Sequence, residues 1–244
     1  MNSLFIFSKV VIISAGCYTV SEKQTNHFRE VKIMGSLSKK LYLLRRFGNS
    51  LFTYNCASCG KAVRGKCLCA ECSKKLLPAK VQGEAFSSAY CYDGPAKEVM
   101  LCYKFGDNYE FCRDTLCDWL LEGMAKLSAD DIDAVVPVPS YKRKTTRLSE
   151  LTKGFALLAE LPCEPKLLRK IRETRKQHNI PYEERFSNLS GAFEADPSVR
   201  GKTVLLIDDI YTTGSTVSEC SKALLEKGAE KVLVLTVLKT EKKK

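Results

Sequence analysis

Val204-Leu205-Leu206-Ile207-Asp208-Asp209-Ile210-Tyr211-Thr212-Thr213-Gly214-Ser215-Thr216 decides the reading of this chain. Val204 to Ile207 form an unbroken apolar run, the pattern of a strand buried on both faces of a parallel sheet. Two carboxylates end the run, and a loop of hydroxyls around one glycine follows. Val217, Cys220, Leu224 and Leu225 then recur at helical spacing until Gly228 stops the helix. Strand, acidic pair, small polar loop and helix start, in that order, predict an α/β domain with a sugar-phosphate site at the carboxyl end of the strand.

A helix start leaves backbone N–H groups unpaired and carries partial positive charge, so a phosphate monoester is held well there. Gly214 lets the backbone approach that phosphate closely. Thr212, Thr213, Ser215 and Thr216 offer hydroxyl donors. With Tyr211 they form the candidate phosphate loop. Asp208 and Asp209 are the candidate catalytic residues. Carboxylates accept hydrogen bonds from vicinal sugar hydroxyls and favour a ribose ring that turns cationic. Asp, Thr, Ser and Gly are also ordinary turn and cap residues. The apolar strand and the acidic pair ahead of them favour the phosphate loop over a plain turn.

Upstream, Cys56-x-x-Cys59 and Cys69-x-x-Cys72 are two knuckles separated by a short connection. A CxxC turn sets two sulfurs on one ion, and zinc prefers four tetrahedral thiolates. Cys56, Cys59, Cys69 and Cys72 are therefore the candidate ligands of a structural zinc ion. Cys67 is a spare that competes with Cys69. A redox dithiol is the alternative, which two neighbouring knuckles disfavour. So small a unit has too little core to fold without its metal.

The chain has 244 residues, 12 cysteines and a formal net charge of +11. That length suits one sizeable α/β domain with a small appendage. The charge favours anionic partners, phosphorylated substrates or nucleic acid. The remaining cysteines read as small reduced hydrophobes of an intracellular, cytoplasmic protein. Leu4 to Ile13 is mostly apolar but carries Lys9, which does not suit a signal segment. Met34 opens the more coherent sequence. The expected organisation is an extension over 1–50, a zinc-binding element over 51–82 and the α/β domain over 83–244.

Within that domain, Phe86 to Tyr92 reads as a strand and Pro95 to about Tyr103 as a helix. Lys104-Phe105-Gly106-Asp107 reads as a turn. Leu116, Trp119, Leu120 and Met124 give the apolar face of a longer helix. Ile132 to Pro139 reads as a second parallel strand entering a loop stiffened by Pro137 and Pro139. Basic residues follow at once: Lys142, Arg143, Lys144 and Arg147. A strand end with a cationic loop is where a diphosphate binds, and Ser140, Lys142 and Arg143 are its candidates. Leu148, Leu151, Phe155 and Leu158 mark another amphipathic helix. After a short strand at Lys166 to Leu168 comes a long basic stretch, with a helix from Pro181 to about Leu189. Loops of this length are often lids. Arg169, Arg175, Gln177 and Arg185 are its candidate diphosphate contacts, and such a lid excludes water from a reactive cation. Val232 to Leu238 reads as the last strand.

These residues together resemble the ComF family of competence-related, phosphoribosyltransferase-like proteins over roughly Phe52 to Lys239. The likeness rests on the four cysteines, Tyr92-x-Gly94-Pro95, Lys104-Phe105 and Pro137-Val138-Pro139. It rests further on Arg169-x4-Thr174-x2-Gln177, Arg185-x2-Asn188-x2-Gly191-Ala192-Phe193 and the Asp-Asp-x-x-Thr-Thr-Gly signature. Arg169 to Thr216 also looks like the lid and signature of amidophosphoribosyltransferases. The resemblance implies a type I phosphoribosyltransferase fold, a parallel sheet flanked by helices with a small hood. It implies phosphoribosyl pyrophosphate (PRPP) with Mg²⁺ as ligands, Asp208 and Asp209 on the ribose hydroxyls, and the loop from Tyr211 to Thr216 on the sugar's 5′-phosphate. One segment departs from the family pattern. Lys153-Gly154-Phe155-Ala156-Leu157 stands where the family has Arg-Gly-Phe-Asn-Gln, and lysine does not reproduce bidentate arginine geometry. Three functional readings follow: a Mg-dependent transferase acting on a nitrogen acceptor, a single-stranded DNA-handling module for DNA uptake, or a non-catalytic PRPP-binding regulator.

Overall fold

The structure is a computed structural model that describes residues 10–13, 16–19, 37–80, 83–106, 109–127, 131–141, 146–174 and 188–241. The chain divides into two units, Met1–Arg45 and Arg46–Lys244. In the first, β1 (Val10–Ile13) and β2 (Gly16–Thr19) pair as an antiparallel hairpin. A helix, α1, covers residues 37–50, of which 37–45 belong to this unit. The rest of the architecture belongs to the second unit.

β3 (Thr53–Asn55) and β4 (Ala62–Arg64) make a short antiparallel hairpin, followed by the single turn α2 (Ala70–Ser73). The central layer then assembles from β5 (Phe86–Cys91), β6 (Ala134–Pro137), β9 (Thr203–Tyr211) and β10 (Lys231–Lys239). Their order is β5-β10-β9-β6, and all three pairings are parallel. Between β5 and β6 run α3 (Gly94–Phe105) and α4 (Tyr109–Met124), and α5 (Arg147–Ala159) follows β6. β7 (Leu168–Lys170) and β8 (Phe193–Ala195) form an antiparallel hood, and α6 (Ser215–Glu226) joins β9 to β10.

The alternation of β9 divides the core. Leu205 and Ile207 pack with α3, α4 and α5, beside Leu116, Leu120, Leu151 and Phe155. Val204 and Leu206 pack on the other face with the hood and α6, beside Leu168, Val217 and Leu224. All four strand residues are fully buried, and each contributes about 1.5–3 kcal/mol of apolar burial. This two-sided burial is why the segment reads as one apolar run rather than an alternation.

Four boundaries differ from the sequence reading. β9 continues through Asp208 and Asp209 to Tyr211, because β10 pairs with it that far, Thr236 opposite Asp208 and Lys239 opposite Tyr211. Lys104 and Phe105 are the last turn of α3 rather than a loop, and Gly106 ends the helix. β6 starts at Ala134, two residues later than Ile132. Lys166 and Leu167 lie in a 3₁₀ turn, and the strand begins at Leu168. The helix expected from Pro181 lies outside the described residues as far as residue 187.

Candidate functional site

The signature loop sits where β9 hands over to α6. Gly214 caps α6 in the left-handed conformation, φ +80°. Gly214 has no side chain to cap the first turn, which leaves backbone N–H groups beyond Ser215 facing the loop, the arrangement that holds an anion. The Ser215 N–H donates to Thr213 Oγ1 at 3.3 Å, and the two hydroxyls, Thr213 Oγ1 and Ser215 Oγ, lie 2.8 Å apart. Ser215 is buried, Thr213 and Thr216 are half-buried and Thr212 is exposed. Thr212, Thr213, Gly214 and Thr216, with Asp208, Ile210, Tyr211 and Val217, surround a shallow hollow. The Tyr211 ring rests against Phe86, centroids 4.6 Å apart. Its phenol stands over Gly214, where any Cβ would fall within 2.8 Å of Tyr211 Cζ.

The two adjacent carboxylates do different things. Successive strand residues point to opposite faces, so Asp208 follows Leu206 onto the α6 face and Asp209 follows Ile207 onto the α3 face. Asp208 lines this hollow and accepts the Asp209 N–H at 2.9 Å. Asp209 instead binds the Lys104 ammonium at 2.6 Å. Desolvation pushes the Asp208 carboxyl up to about 8; Asp209 adds to the rise, while the Asp209 N–H and Lys104 oppose it. Beside Asp208 in register stands Thr236, and beyond it Ser88. Both hydroxyls are buried and find no hydrogen-bond partner among the described residues, so a polar row crosses three strands beneath the loop.

A raised carboxyl has a defined pH signature. Unfolding releases the Asp208 proton wherever the pH lies between 3.8 and about 8. The native state therefore loses stability as pH rises through that window and keeps the deficit above it. Asp208→Asn is expected to raise the stability of the ligand-free protein at pH 8.5, by on the order of 2 kcal/mol after allowance for solvent screening. The gain should vanish near pH 4. Urea denaturation at both pH values measures it, and equal gains at both would contradict this account of Asp208.

Of the candidate diphosphate contacts, Ser140 is exposed in the loop after β6, at the same end of the sheet. Arg169 points out of the hood and pairs with Glu194 at 2.7 Å, away from the hollow beside Asp208. Lys142, Arg143, Arg175, Gln177 and Arg185 lie outside the described residues. The segment Lys153–Leu157 is part of α5, with Gly154, Phe155 and Ala156 buried in the core and Lys153 exposed.

Two lysines were not singled out from the sequence as site residues. Lys104 was read as a turn; the continuation of Val99, Met100 and Tyr103 at helical spacing was the available signal that α3 runs on through it. Lys170 neighbours Arg169 and by strand alternation faces inward. Its ammonium lies 2.5 Å from Thr174 Oγ1 and 5.6 Å from the Phe193 ring centre. Desolvation lowers its pKa, and the buried Cys220 thiol feels both this lysine and Asp208.

The cysteine element is the second candidate site. Cys56, Cys59, Cys69 and Cys72 bring their four sulfurs within 4.8 Å of one another, with Cys59 and Cys69 Sγ 3.6 Å apart. A tetrahedral ion with Zn–S near 2.3 Å sets its sulfurs about 3.8 Å apart, so the four thiols fit zinc. The Cys69 N–H donates to Cys56 Sγ at 3.3 Å and the Cys72 N–H to Cys69 Sγ at 3.4 Å. Desolvation raises the Cys56 thiol, but N–H donors from Cys59, Cys69 and Ser58 together bring it to about 6. Cys67 does not join the four; it donates to Thr115 Oγ1 at 3.1 Å. The element rests on α4 through Tyr54 and Phe111, whose rings are in contact.

Residues 156–244 match the phosphoribosyl transferase domain family. The chain is 32% identical over 119 residues to DNA utilization protein YhgH of Escherichia coli, covering 44% of this chain and 50% of that protein. It is 29% identical over 110 residues to competence protein F of Haemophilus influenzae, covering 42% and 48%. With competence protein ComFC of Bacillus subtilis it shares 28% identity over 179 residues, covering 71% and 72%. The chain spans about half the length of the first curated relatives it matches. Among solved structures, glutamine PRPP amidotransferase from B. subtilis is 18% identical with a TM-score of 0.39, covering 72% of this chain and 33% of that chain. Among the described residues, no helix is long and apolar enough to cross a membrane.

Proposed function

Because this chain carries a phosphoribosyl transferase domain of type I fold and is homologous to proteins named ComFC, competence protein F and YhgH, we propose that it binds PRPP and transfers the phosphoribosyl group to a nitrogen nucleophile. The observation that carries this reading is the start of α6 beside Asp208, where Gly214 offers no capping side chain and holds the loop open. The 5′-phosphate sits on the N–H groups and hydroxyls of Thr212 to Thr216. Asp208 accepts hydrogen bonds from the ribose hydroxyls. Asp209 faces the other side of the sheet, where Lys104 balances its charge.

The diphosphate meets the cations of the loop after Pro139 and of the hood, with Lys170 the inward-facing member. Mg²⁺ bound with PRPP beside Asp208 would supply positive charge to the leaving diphosphate. This chain holds the sugar and, through the ionised form of Asp208, favours positive charge at the ribose ring. The relatives' names concern competence and DNA utilization, and we read the phosphoribosyl chemistry as serving DNA uptake in the cytoplasm.

Pyrophosphate release from PRPP, screened against ammonia, amines and nucleobases, tests the reaction. Release is expected to depend on one acceptor class and to fall at least 100-fold in Asp208→Asn, the scale of losing one preorganised electrostatic contact. Acceptor-independent release, unchanged in the variant, would overturn it.

A further inference from the structure

Beside the four-sulfur cluster lies a second group of thiols from three separate elements. Cys67 comes from the connection between the knuckles, Cys102 from the last turns of α3 and Cys112 from the first turn of α4. With Tyr54, Cys56 and Phe111 they line a cavity of about 270 Å³. Cys67 and Cys112 are 3% and 1% exposed, and Cys102 is half-buried. Thr115 Oγ1 accepts from Cys67 Sγ at 3.1 Å and so fixes its rotamer. Thr115 and Cys112 stand three residues apart on α4, neighbours on one helix face, so the Thr115 contact sets Cys67 beside Cys112. None of the three belongs to the set that fits a tetrahedral ion, and all are free thiols. Adjacent thiols on an open cavity are the arrangement in which one sulfur resolves the oxidation of the other.

We propose that Cys67 and Cys112 are a redox pair whose disulfide staples the cysteine element to α4. The oxidant is a peroxide reaching the cavity. The Cys67 sulfur attacks one peroxide oxygen, the O–O bond breaks, and a sulfenic acid and one water form. The Cys112 sulfur then displaces that hydroxyl as a second water, and the S–S bond forms. Two thiols lose two electrons and two protons, and the peroxide is reduced to two waters. The consequence is structural. Cys67 sits between the knuckles, so the bond ties the element to the transferase body and keeps it attached if the metal is lost.

The test treats the full chain, as purified with its metal, with one equivalent of hydrogen peroxide. Remaining thiols are alkylated, and peptides are mapped without reduction. The expected major product is a Cys67–Cys112 cross-link with zinc content unchanged. It should be absent from Cys67→Ala and Cys112→Ala and reversed by dithiothreitol. In chelator, the oxidised protein should keep the amide protection of residues 62–72 at least tenfold better than the reduced protein. That protection is read in the wild type, so it does not depend on how well the variants fold. Cross-links among Cys56, Cys59, Cys69 and Cys72 with loss of zinc, a Cys102–Cys112 product, or recovery of Cys67 and Cys112 as free thiols would each overturn the proposal.

Discussion

Removing zinc from the purified protein is expected to unravel the cysteine element while the parallel sheet keeps its structure. The strands of the element, β3 and β4, have three residues each, and an isolated two-stranded hairpin is at best marginal in water. Its buried residues are mostly the cysteines themselves, Cys56, Cys67, Cys69 and Cys72, with Leu68. Zinc in small structural sites supplies about 10–16 kcal/mol of apparent binding energy at neutral pH, far more than that core provides. Without the ion, four thiols crowd within 4.8 Å and no apolar contact replaces the lost bonds. Hydrogen exchange with and without chelator measures the effect. The amides of Cys56, Ala57 and Gly60, which bond to Lys61, Cys67 and Cys56 carbonyls, should lose protection, whereas those of Val204 to Ile207 should keep it. Cys72→Ser should reproduce the pattern. Unchanged protection in chelator would show that the element folds on its packing alone.

Gly214→Ala is expected to weaken PRPP binding at least tenfold without unfolding the chain. Two independent causes act at this position. The backbone is left-handed, φ +80°, which costs an L-residue roughly 1–2 kcal/mol. The added Cβ also meets the Tyr211 ring, 2.8 Å from Cζ, and that ring is backed by Phe86. Relief of either strain moves the loop that presents the α6 N–H groups, and a phosphate site depends on their convergence. Tyr211→Ala in the Gly214→Ala background removes the collision but not the dihedral strain. It should therefore restore stability in part and affinity little. Equal PRPP affinity in Gly214→Ala and wild type would place the phosphate elsewhere.

The sequence carried the sheet and the loop because their signals are local. Four apolar residues in a row mean burial on both faces, and a glycine among hydroxyls ahead of a helical periodicity means a turn into a helix. The knuckles were legible for the same reason: two sulfurs per turn is a spacing rule. What the sequence hid depends on pairing. Nothing in Asp208-Asp209 says that β10 extends the strand through both residues and so sends them to opposite faces, one to the phosphate hollow and one to Lys104. Lys104 gave no such signal because its partner, Asp209, lies far off in sequence. Arg169 stands among the expected diphosphate contacts, yet the alternation of a three-residue strand turns it outward, onto Glu194. Cys67 read as a spare ligand; its proximity to Cys112 depends on how the element packs against α4, which no spacing encodes.

Calorimetric titration of PRPP with Mg²⁺ into the zinc-loaded protein tests the central claim, a sugar-phosphate site built from Asp208 and the loop that opens α6. The account predicts saturable binding in the wild type and its loss in Asp208→Asn, with the variant still folded and at least as stable at pH 8.5. Absence of binding by the folded wild type, or undiminished binding by Asp208→Asn, would contradict it.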